Sequence, residues 1–428
     1  MTYRQAVDYT HTRLRFGMRP GLETISALMA RLENPQEKLR VIHVAGTNGK
    51  GSTCTMLSNI LQAGGYKTGL FLSPYVLDFR ERIQVNGAMI PKRAYAALVG
   101  ELIPQVTALE AEGRIVTEFE LLTAAAFLHF QREGCGAVVL ETGLGGRFDA
   151  TNVIQRPLCA VITKIALDHM AVLGGSIEQI AMEKCGILKP GCPAVMAPGQ
   201  DPRAAAVIAA EAKKRGVMLY EPDPAALHAA PAGLDGTQAQ WQGQRFLIPL
   251  IGAHQVLNAA AAAAAALRCG LGITPGEVAA GIARTRFPAR LEVLSRTPPV
   301  LLDGAHNPDG ARALASAARE LFGAQPLTAV LGMLADKDYQ SVLALLGPLC
   351  GHIVTVRPAN PRALSAAALA RAARPFCADA VPARSYSAAL RLAFEKAAGG
   401  PVVIGGSLYL AAAIRQKTMD CVKTPPEK

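Results

Sequence analysis

Short apolar runs separated by helix-length amphipathic stretches recur along the whole chain. Most of these runs are rich in Val, Ile and Leu, which is typical of strands that are buried on both faces of a sheet. The regular alternation of such runs with helical patterns predicts an α/β protein whose sheets are largely parallel. The predicted strands are residues 41–45, 69–72, 137–140, 160–163, 300–302, 329–331, 353–356 and 402–404.

The pattern changes at two places. Residues 221–245 are dominated by Pro, Gly and Gln, which predicts loops and a short antiparallel excursion. Around residues 285–298 the sequence becomes RTRFPARLEVLSRTPP, and a new alternation of strands and helices follows. We therefore predict a domain boundary in a short linker around Phe287 and Pro288, with domains at 1–287 and 288–428.

Composition narrows the class of protein. Half of the 428 residues are hydrophobic, yet no uncharged, strongly apolar run reaches the roughly 18 residues that a membrane span needs. The start of the chain lacks a secretory apolar core, so we expect a soluble, cytoplasmic protein. The nine cysteines include no C-x-x-C pair and no zinc-type spacing, which argues against a disulfide framework. The alanine run after Asn258 predicts a packed helix.

The formal net charge is +11, but the basic residues are spread along the chain rather than grouped in blocks. No zinc finger or RNA-binding aromatic signature accompanies them. A positive balance suits an enzyme whose substrates are anions. We expect small-molecule substrates, no nucleic-acid or membrane partner, and a monomer.

The stretch HVAGTNGKGST, residues 43–53, is the strongest chemical signal. It lies between the predicted strand 41–45 and a helical pattern, so it forms a strand–loop–helix corner. Glycines there let backbone amides approach phosphate oxygens, and the helix N-terminus adds a positive dipole. The alternative is a glycine-rich turn with one solvated lysine. We predict an ATP site made of Asn48, Gly49, Lys50, Gly51, Ser52 and Thr53, in which Lys50 reaches the terminal phosphates and a hydroxyl faces magnesium.

GTNGKGS is the phosphate-loop form of the Mur ligase superfamily, and a series of further motifs follows in order along nearly the whole chain. Together they closely resemble the folylpolyglutamate synthase/dihydrofolate synthase family. The motifs are SPYVLDFRERIQVNG, TEFELLTAAAF, LETGLGGRFDATNV, ALDHMAVLG, EKCGILKPG, HQVLNAA, FPARLE, DGAHNP, MLADKD and NPRAL.

This resemblance implies an N-terminal P-loop-type domain, with a mostly parallel sheet and flanking helices, and a smaller C-terminal Rossmann-like α/β domain. It implies ATP-dependent amide formation, in which a carboxylate becomes an acyl phosphate that the amine of L-glutamate attacks. The acceptor is 7,8-dihydropteroate for a dihydrofolate synthase, or the γ-carboxylate of a folate tail for a folylpolyglutamate synthase.

The resemblance also assigns magnesium ligands: Ser73, Glu141 and His169. Ser73 and Glu141 lie at the carboxyl ends of predicted strands, where open α/β sheets bind ligands. Imidazole is an unusual partner for magnesium, so His169 alone would be read as structural, with Asp168 orienting its ring.

Lys184, in EKCG, matches the carbamylated lysine of the family. A neutral amine can add carbon dioxide and become an anion that supports a metal, which requires a lowered lysine pKa. Lys50 and Lys184 are thus predicted catalytic residues, and a monovalent cation is a further possible cofactor beside Mg²⁺.

Three more positions carry over to ATP: Asn258, Arg290 and Asp303. Asn258 has a plain alternative as a helix N-cap. His306 and Asn307 follow Asp303 in one loop, and we expect both to bind the incoming glutamate, with His306 also catalytic.

The resemblance places the acceptor substrate in a slot lined by Met18, Arg19, Pro20, Thr117, Glu118, Phe119, Glu120, Asp149, Ala150 and Thr151. Phe119 is a candidate to stack on the pterin ring, and a core aromatic is the equal alternative. The stretch GGRFDATN resembles bacterial bifunctional enzymes, so we predict both activities. The alternatives are tail extension alone, another Mur-type ligase, a P-loop kinase or GTPase, or a non-catalytic nucleotide-binding module.

Overall fold

The computed structural model describes residues 1–17, 19–223, 225, 227–241 and 244–423. The chain separates into two compact units. Unit 1 comprises residues 1–228, 240–246 and 257–285, and unit 2 comprises residues 229–239, 247–256 and 286–428. The grouping of 229–239 and 247–256 with unit 2 has no counterpart in the sequence pattern, and the two-domain division at residue 287 stays a prediction.

The strands are, in chain order, β1 (Val41–Ala45), β2 (Thr68–Phe71), β3 (Ile83–Val85), β4 (Ala88–Met89), β5 (Ala137–Glu141), β6 (Cys159–Ile162), β7 (Ala194–Met196), β8 (Leu219–Tyr220), β9 (Leu227–Ala229), β10 (Thr237–Trp241), β11 (Gln244–Ile248), β12 (Glu292–Arg296), β13 (Pro299–Leu302), β14 (Leu327–Leu331), β15 (Cys350–Thr355), β16 (Ala380–Pro382) and β17 (Val402–Gly405). Every strand predicted from an apolar run is present, with ends that differ by at most a few residues.

The helices are α1 (Tyr3–Thr12), α2 (Glu23–Arg31), α3 (Lys50–Ala63), α4 (Lys92–Ala111), α5 (Glu118–Arg132), α6 (Met170–Leu173), α7 (Ile177–Lys184), α8 (Pro202–Lys214), α9 (Ala253–Arg268), α10 (Pro275–Ala283), α11 (Pro308–Phe322), α12 (Tyr339–Leu346), α13 (Ala366–Ala373), α14 (Tyr386–Ala397) and α15 (Leu408–Lys423). α3 ends where Gly64 caps it, as the Gly64-Gly65 pair predicts. The alanine run lies in α9, and its members are buried.

The main sheet of unit 1 has the strand order β4-β3-β2-β5-β1-β6-β7-β8. β2, β5, β1, β6, β7 and β8 are parallel, whereas β3 and β4 add an antiparallel edge. β1 lies in the middle, and all five of its residues are buried. Because β2, β5, β1 and β6 run side by side in one direction, the loops that follow them meet at a single edge.

Strands β1, β5 and β6 of this sheet are buried along their whole length, which explains the near-continuous apolar runs. One core packs α1, α2, α4 and α5 against the sheet, with Tyr95, Phe127 and Phe130 among its fully buried side chains. A second core packs α7 and α8, through Ile180 and Ile208. β11, β10 and β9 form a separate sheet in that order, and this sheet occupies part of the segment for which we predicted an antiparallel excursion.

Unit 2 carries a sheet of strand order β12-β13-β17-β14-β15-β16. All neighbouring pairs are parallel except β12 with β13. Its core joins this sheet to α11, α12 and α13. The predicted α/β class, with a mostly parallel first sheet and a second α/β sheet, is confirmed.

Two exclusions made from composition can be compared with the structure. All nine cysteines lie in the described residues and are free thiols. Within the described ranges, no helix combines the length and hydropathy needed to cross a membrane.

Candidate active site

The loop between β1 and α3 has the geometry of an anion-binding corner. α3 begins at Lys50, and its N-cap Gly49 has φ 87°, a left-handed conformation that glycine adopts without strain. A Cβ atom at Gly46 would lie 1.8 Å from Oγ1 of Thr163, so glycine lets the loop pass close to the end of β6. The free amides of the first turn and the positive end of the helix dipole suit a phosphate group.

Asn258 lies against this corner, because a Cβ atom at Gly49 would be 2.3 Å from Asn258 Oδ1. The structure therefore brings two of the predicted ATP residues together. α9 begins at Ala253, so Asn258 sits inside the helix and the N-cap interpretation is wrong. Asn258 is also buried, which leaves its amide directed at a specific neighbour rather than at solvent.

The amines of Lys50 and Lys184 converge on one carbonyl group. Nζ of Lys50 donates to the oxygen of Gly46 at 3.0 Å and to that of Thr47 at 3.3 Å. Nζ of Lys184, at the end of α7, donates to the same Gly46 oxygen at 2.8 Å. Two lysines that are distant in sequence thus meet at the base of the phosphate loop.

Lys184 is only 3% exposed. Burial and, to a smaller extent, the nearby charge of Lys50 lower the pKa of its amine to about 7, although Asp168 and Asp149 act in the opposite direction. At neutral pH a large share of the Lys184 side chains is therefore uncharged and nucleophilic. Sequence alone would describe this lysine as an ordinary residue on a helix surface.

The phosphate loop is tied to the segment that follows β6. The amides of Thr47 and Asn48 both donate to the oxygen of Lys164, at 2.9 and 3.1 Å. The amide of Ala166 donates in turn to Oγ1 of Thr47 at 3.1 Å. This segment continues to His169, so the predicted metal-ligand loop is attached to the phosphate loop by backbone hydrogen bonds.

His169 itself has φ 51°, a left-handed conformation that is uncommon outside glycine and is found most often where the chain must turn sharply. Its amide donates to Oδ1 of Asp168 at 2.8 Å. The imidazole is half exposed, with Nε2 3.9 Å from the same oxygen. Asp168 therefore holds the backbone of His169 by a hydrogen bond and lies close to its ring, while its role in orienting the ring stays a prediction.

Ser73 and Glu141 are brought together at the ends of β2 and β5, where Oε2 of the carboxylate accepts a hydrogen bond from the Ser73 amide at 3.0 Å. Arg82 completes this group by donating from Nη1 to Oγ of Ser73 at 3.2 Å. Its guanidinium is 9% exposed, and its Nε has no hydrogen-bond partner among the described residues. Sequence reasoning missed Arg82, because nothing in the charged stretch FRERIQV distinguishes it from Arg80.

The residues at this edge fit magnesium by the chemistry of their donors. Hard cations prefer carboxylate and hydroxyl oxygens, which Glu141 and Ser73 supply. Thr142 directly follows Glu141, and Thr53 lies in the first turn of α3. The hydroxyl groups of both residues are buried and have no hydrogen-bond partner in the described structure. Among the described residues, no cluster of three or more His, Cys, Asp and Glu side chains has metal-binding geometry, so a metal here would rest on mixed ligands and water.

The predicted acceptor residues on α5 have clear structural roles. Thr117 is the N-cap of α5, and with Glu120 it forms a capping box: Oγ1 of Thr117 accepts from the Glu120 amide, and Oε2 of Glu120 accepts from the Thr117 amide. Phe119 is half-buried, with its ring 5.7 Å from that of Phe71. A Cβ atom at Gly143 would lie 2.6 Å from Cζ of Phe119, so the loop after β5 rests on this ring.

Asp149 organises that loop from within. Its Oδ1 accepts hydrogen bonds from the amide and the hydroxyl of Thr151, and its Oδ2 accepts from the amide of Leu144 at 2.9 Å. The carboxyl group is buried, and burial raises its pKa although these hydrogen bonds oppose the rise. Ala150 and Thr151 are buried beside it. Asp149 thus shapes the loop that was predicted to line the acceptor slot.

The motifs GLGGRFD and EKCG pack backbone against backbone. A Cβ atom at Gly186 would lie 2.2 Å from Cα of Arg147, and one at Gly146 would lie 2.8 Å from the oxygen of Lys184. The two glycines allow the loop that was predicted to line the acceptor slot, which we call the acceptor loop (residues 143–151), to touch the end of α7. The loop that holds Asp149 and the buried Lys184 are therefore part of one assembly.

The remaining acceptor candidates lie near the start of the chain and on α5. Arg19 and Pro20 are exposed, and the charge of Arg19 acts on the carboxyl of Glu120. Burial raises the pKa of Glu118, against the opposing charges of Arg82 and His11. Met18 lies outside the described residues.

In unit 2, Asp303 follows β13 and is 8% exposed. Its oxygens accept from the amides of Leu291 and Ala305, each at 2.7 Å. Burial raises the pKa of this carboxyl group, and Arg290 opposes the rise. Ala289 and Leu291 have φ of 54° and 47°, so the backbone on both sides of Arg290 is strained, as is common at functional sites.

His306 and Asn307 follow in the same loop. Nδ1 of His306 lies 2.9 Å from the oxygen of Gly304, which makes Nδ1 a hydrogen-bond donor to that carbonyl group. Asn307 is the N-cap of α11, and its Oδ1 accepts from the amide of Gly310 at 2.8 Å. Asn307 therefore has a structural role in addition to its predicted one.

Comparison with known proteins agrees with this geometry. The model of the Mur ligase middle domain matches residues 44–266, and that of the Mur ligase glutamate ligase domain matches residues 289–408. The chain is 39% identical, over 97% of its length and 99% of the relative, to the dihydrofolate synthase/folylpolyglutamate synthase of Bacillus subtilis.

Solved structures show the same likeness. The folylpolyglutamate synthase of Mycobacterium tuberculosis, complexed with ADP and AMPPCP, has a TM-score of 0.89 and 35% identity, covering 97% of this chain and 99% of that one. FolC of Escherichia coli, in complex with DHPP and ADP, has a TM-score of 0.85 and 30% identity, covering 99% of both chains. This chain therefore belongs to the dihydrofolate synthase/folylpolyglutamate synthase family of Mur ligases, and it is an ATP-dependent ligase.

Proposed function

We propose that this ligase joins the amine of L-glutamate to the carboxylate of 7,8-dihydropteroate and to the γ-carboxylate of the glutamate tail of reduced folates. The observation that carries the proposal is the meeting of two lysine amines at the Gly46 carbonyl, at the base of a phosphate loop. Positive charge at this place stabilises a phosphoryl group while it is transferred, and a ligase of this kind activates a carboxylate by transferring a phosphoryl group to it. The name of the Bacillus subtilis relative, which includes both activities, supports the dual function over tail extension alone.

The reaction has two covalent steps. A carboxylate oxygen of the acceptor attacks the γ-phosphorus of ATP, and the bond to the β-phosphate oxygen breaks, so that ADP leaves and an acyl phosphate remains. The amine of glutamate then attacks the acyl carbon; the new C–N bond replaces the C–O bond to phosphate, and the amine loses a proton. Lys50 and the amides of Asn48, Gly49, Gly51 and Ser52 hold the transferring phosphates, and Asn258 contacts the adenine.

We assign the metal site to Ser73, Glu141 and His169, on the grounds of the oxygen donors of Ser73 and Glu141, which meet at one edge of the sheet, and of the link between the segment that leads to His169 and the phosphate loop. When bound there, Mg²⁺ supplies positive charge to the phosphate oxygens. Thr53 lies at the start of α3, where its hydroxyl suits the same site. Arg82 holds Ser73 by its hydroxyl group and so orients this ligand.

Lys184 is proposed to be carbamylated. Its neutral amine adds the carbon of CO₂; an N–C bond forms, one proton passes to solvent, and a carbamate anion results. A pKa of about 7 supports this chemistry because the nucleophilic form is then abundant at neutral pH. The positive charge of Lys50 next to it favours the anionic product over the ammonium form.

In unit 2, Arg290 and Asp303 are proposed to contact ATP, and His306 and Asn307 to receive the incoming glutamate. The acceptor slot is assigned to residues Met18, Arg19, Pro20, Thr117, Glu118, Phe119, Glu120, Asp149, Ala150 and Thr151. The half-buried ring of Phe119, which lies directly against the loop after β5, supports a stacking surface for the pterin.

Purified protein with Mg²⁺, ATP and labelled glutamate tests the function, with 7,8-dihydropteroate and a reduced folate monoglutamate as alternative acceptors. We expect ADP release that depends on both glutamate and acceptor, and a product one glutamyl unit heavier with either acceptor. Product from the folate alone would leave only tail extension. ADP release that is independent of glutamate would indicate a kinase or GTPase, and the absence of any coupled product would overturn the proposal.

Three further expectations have their own measurements. Carbamylation predicts a carbamate ¹³C signal after incubation with labelled bicarbonate that is missing in Lys184→Arg. A monomer predicts the mass of one chain in light scattering. A monovalent cation requirement predicts a loss of rate when K⁺ is replaced by a large organic cation. Cytoplasmic location stays a prediction.

A further inference from the structure

His43 lies at the centre of β1, the middle strand of the unit 1 sheet, where it is fully buried. It is a polar residue in the strand VIHVA, whose other members are apolar. Its Nε2 atom lies 2.8 Å from Oγ1 of Thr151. Its Nδ1 atom is buried without a hydrogen-bond partner among the described residues. Neither the phosphate loop nor the metal site uses this histidine.

The directions of the hydrogen bonds around Thr151 determine the protonation of the ring. The hydroxyl group of Thr151 has one proton, which it donates to Oδ1 of Asp149, as a hydroxyl group does to a carboxylate. That proton is therefore directed at Asp149, and Oγ1 must accept from Nε2–H of His43. The ring is a neutral imidazole that carries its proton on Nε2. Burial, with the charge of Lys189, lowers the pKa of His43 to about 3, which agrees with the neutral form.

The chain of hydrogen bonds extends from the strand to the acceptor loop. Asp149 accepts from Thr151 on one oxygen and from the amide of Leu144 on the other. Gly143, which directly precedes Leu144 in this loop, lies against the ring of Phe119. A continuous series of contacts thus links His43, in the central strand, to the ring of Phe119, the surface that we assign to the pterin.

We propose that His43 is a positioning residue for the acceptor substrate: its Nε2–H group holds the hydroxyl of Thr151 so that Asp149 fixes the loop that borders the pterin slot. This inference rests on the proposed function, because it assumes that the loop borders a pteroyl acceptor. His43 touches neither the acceptor nor ATP, and its effect passes through Thr151.

A purely structural role for His43 explains less. An apolar side chain would suit this strand position better, because an unpartnered ring nitrogen is costly to bury. The single hydrogen bond to Thr151 offsets that cost only in part. The histidine therefore makes the strand less stable than leucine would, while it gives the acceptor loop a fixed anchor.

Steady-state kinetics of His43→Leu and His43→Gln test the proposal. Loss of one buried hydrogen bond corresponds to about a ten-fold change, so His43→Leu should raise the KM for 7,8-dihydropteroate about ten-fold. The KM for ATP and kcat should change less than two-fold. The amide of His43→Gln can still donate from a similar position and should recover most of the acceptor KM. The control His129→Leu, at a second buried histidine of unit 1, should leave all three constants unchanged.

Two further measurements keep the proposal falsifiable if a variant folds poorly. Thr151→Val combined with His43→Leu should raise the acceptor KM no further than either change alone, because both remove one connection. In the unmodified chain with ¹⁵N-labelled histidine, the His43 ring should be a neutral Nε2–H tautomer from pH 5.5 to 8.5. An Nδ1–H tautomer, a ring that titrates in this range, equal losses for ATP and acceptor, or additive effects would each overturn the proposal. Absence of turnover by the unmodified chain would instead refute the proposed function and leave the tautomer result standing.

Discussion

Replacement of Lys184 by methionine should make the folded protein more stable and inactive. The side chain of Lys184 is 3% exposed, and burial together with Lys50 lowers the pKa of its amine from 10.5 to about 7. A lowered pKa in a base means that the folded state disfavours the charged form. Methionine keeps a side chain of similar length and removes the ammonium group, so the variant escapes the cost of burying charge.

The magnitude follows from the two pKa values. In the unfolded chain the amine stays protonated up to pH 10.5, whereas in the folded chain it loses its proton above pH 7, so the unfolded state binds more protons between these limits. The free energy of unfolding of the unmodified chain therefore rises with pH across this window. With 1.36 kcal/mol per pKa unit, the titration costs the folded state about 4 kcal/mol at pH 7 and about 2 kcal/mol at pH 9.

The hydrogen bond from Lys184 to the Gly46 oxygen is lost in the variant, which subtracts about 1 kcal/mol. The expected gain in the free energy of unfolding is then about 3 kcal/mol at pH 7 and about 1 kcal/mol at pH 9. The exposed Lys214, with 76% side-chain exposure, gives the matched control Lys214→Met, which should change stability by less than about 0.5 kcal/mol.

Urea unfolding at both pH values measures this difference, in buffer freed of CO₂ so that the amine is unmodified. Hydrogen exchange of the β1 amides identifies the transition that belongs to unit 1, because a chain with two units need not unfold in one step. A variant that is no more stable than the unmodified chain at pH 7, or a gain that does not shrink toward pH 9, would refute the claim that a buried, partly neutral amine lies there.

Three more substitutions have distinct outcomes. Lys50→Ala should reduce turnover about 100-fold or more and change the free energy of unfolding by less than about 1 kcal/mol. A large fall in melting temperature would instead show that Lys50 has a structural role. Gly186→Ala should destabilise unit 1 and raise the acceptor KM, because the added Cβ would lie 2.2 Å from Cα of Arg147. In the control Gly175→Ala the added Cβ enters open space, so this variant should behave like the unmodified chain. Equal melting temperatures for the two variants would contradict the close packing. Arg82→Leu should raise the Mg²⁺ concentration needed for half-maximal rate, since Ser73 loses its donor, and an unchanged Mg²⁺ dependence would separate Arg82 from the metal site.

The apolar runs were sufficient to predict the sheet strands because parallel strands buried on both faces have the most regular sequence signal. β1 has the predicted bounds, and the phosphate loop follows it directly. The carboxyl-end rule then placed Ser73 and Glu141 at one edge, and the structure joins them by a hydrogen bond of 3.0 Å. Local pattern and the general geometry of parallel sheets were enough for these features.

Features that depend on contacts between distant segments could not be predicted in this way. Asn258 was open to an N-cap interpretation because a helix start is uncertain by a few residues, and α9 in fact begins at Ala253. His43 was missed because an isolated polar residue in an apolar strand does not reveal its partner, and Arg82 was missed because it stands in a charged stretch where no residue is distinguished from its neighbours. The convergence of Lys50 and Lys184 required the actual position of α7.

Several of the predicted site residues in each unit are polar groups that the fold buries at a cost. Burial shifts the pKa of Lys184 downward and those of Asp149 and Asp303 upward, in each case toward the uncharged form. Backbone amides and neighbouring charges then recover part of that cost, as the 2.7 Å hydrogen bonds to Asp303 illustrate. A fold selected for stability alone would place apolar side chains at these positions. Their polar character is therefore best explained by charge that arrives with substrates, because phosphate groups beside Lys50 would favour the protonated form of the Lys184 amine over its neutral form.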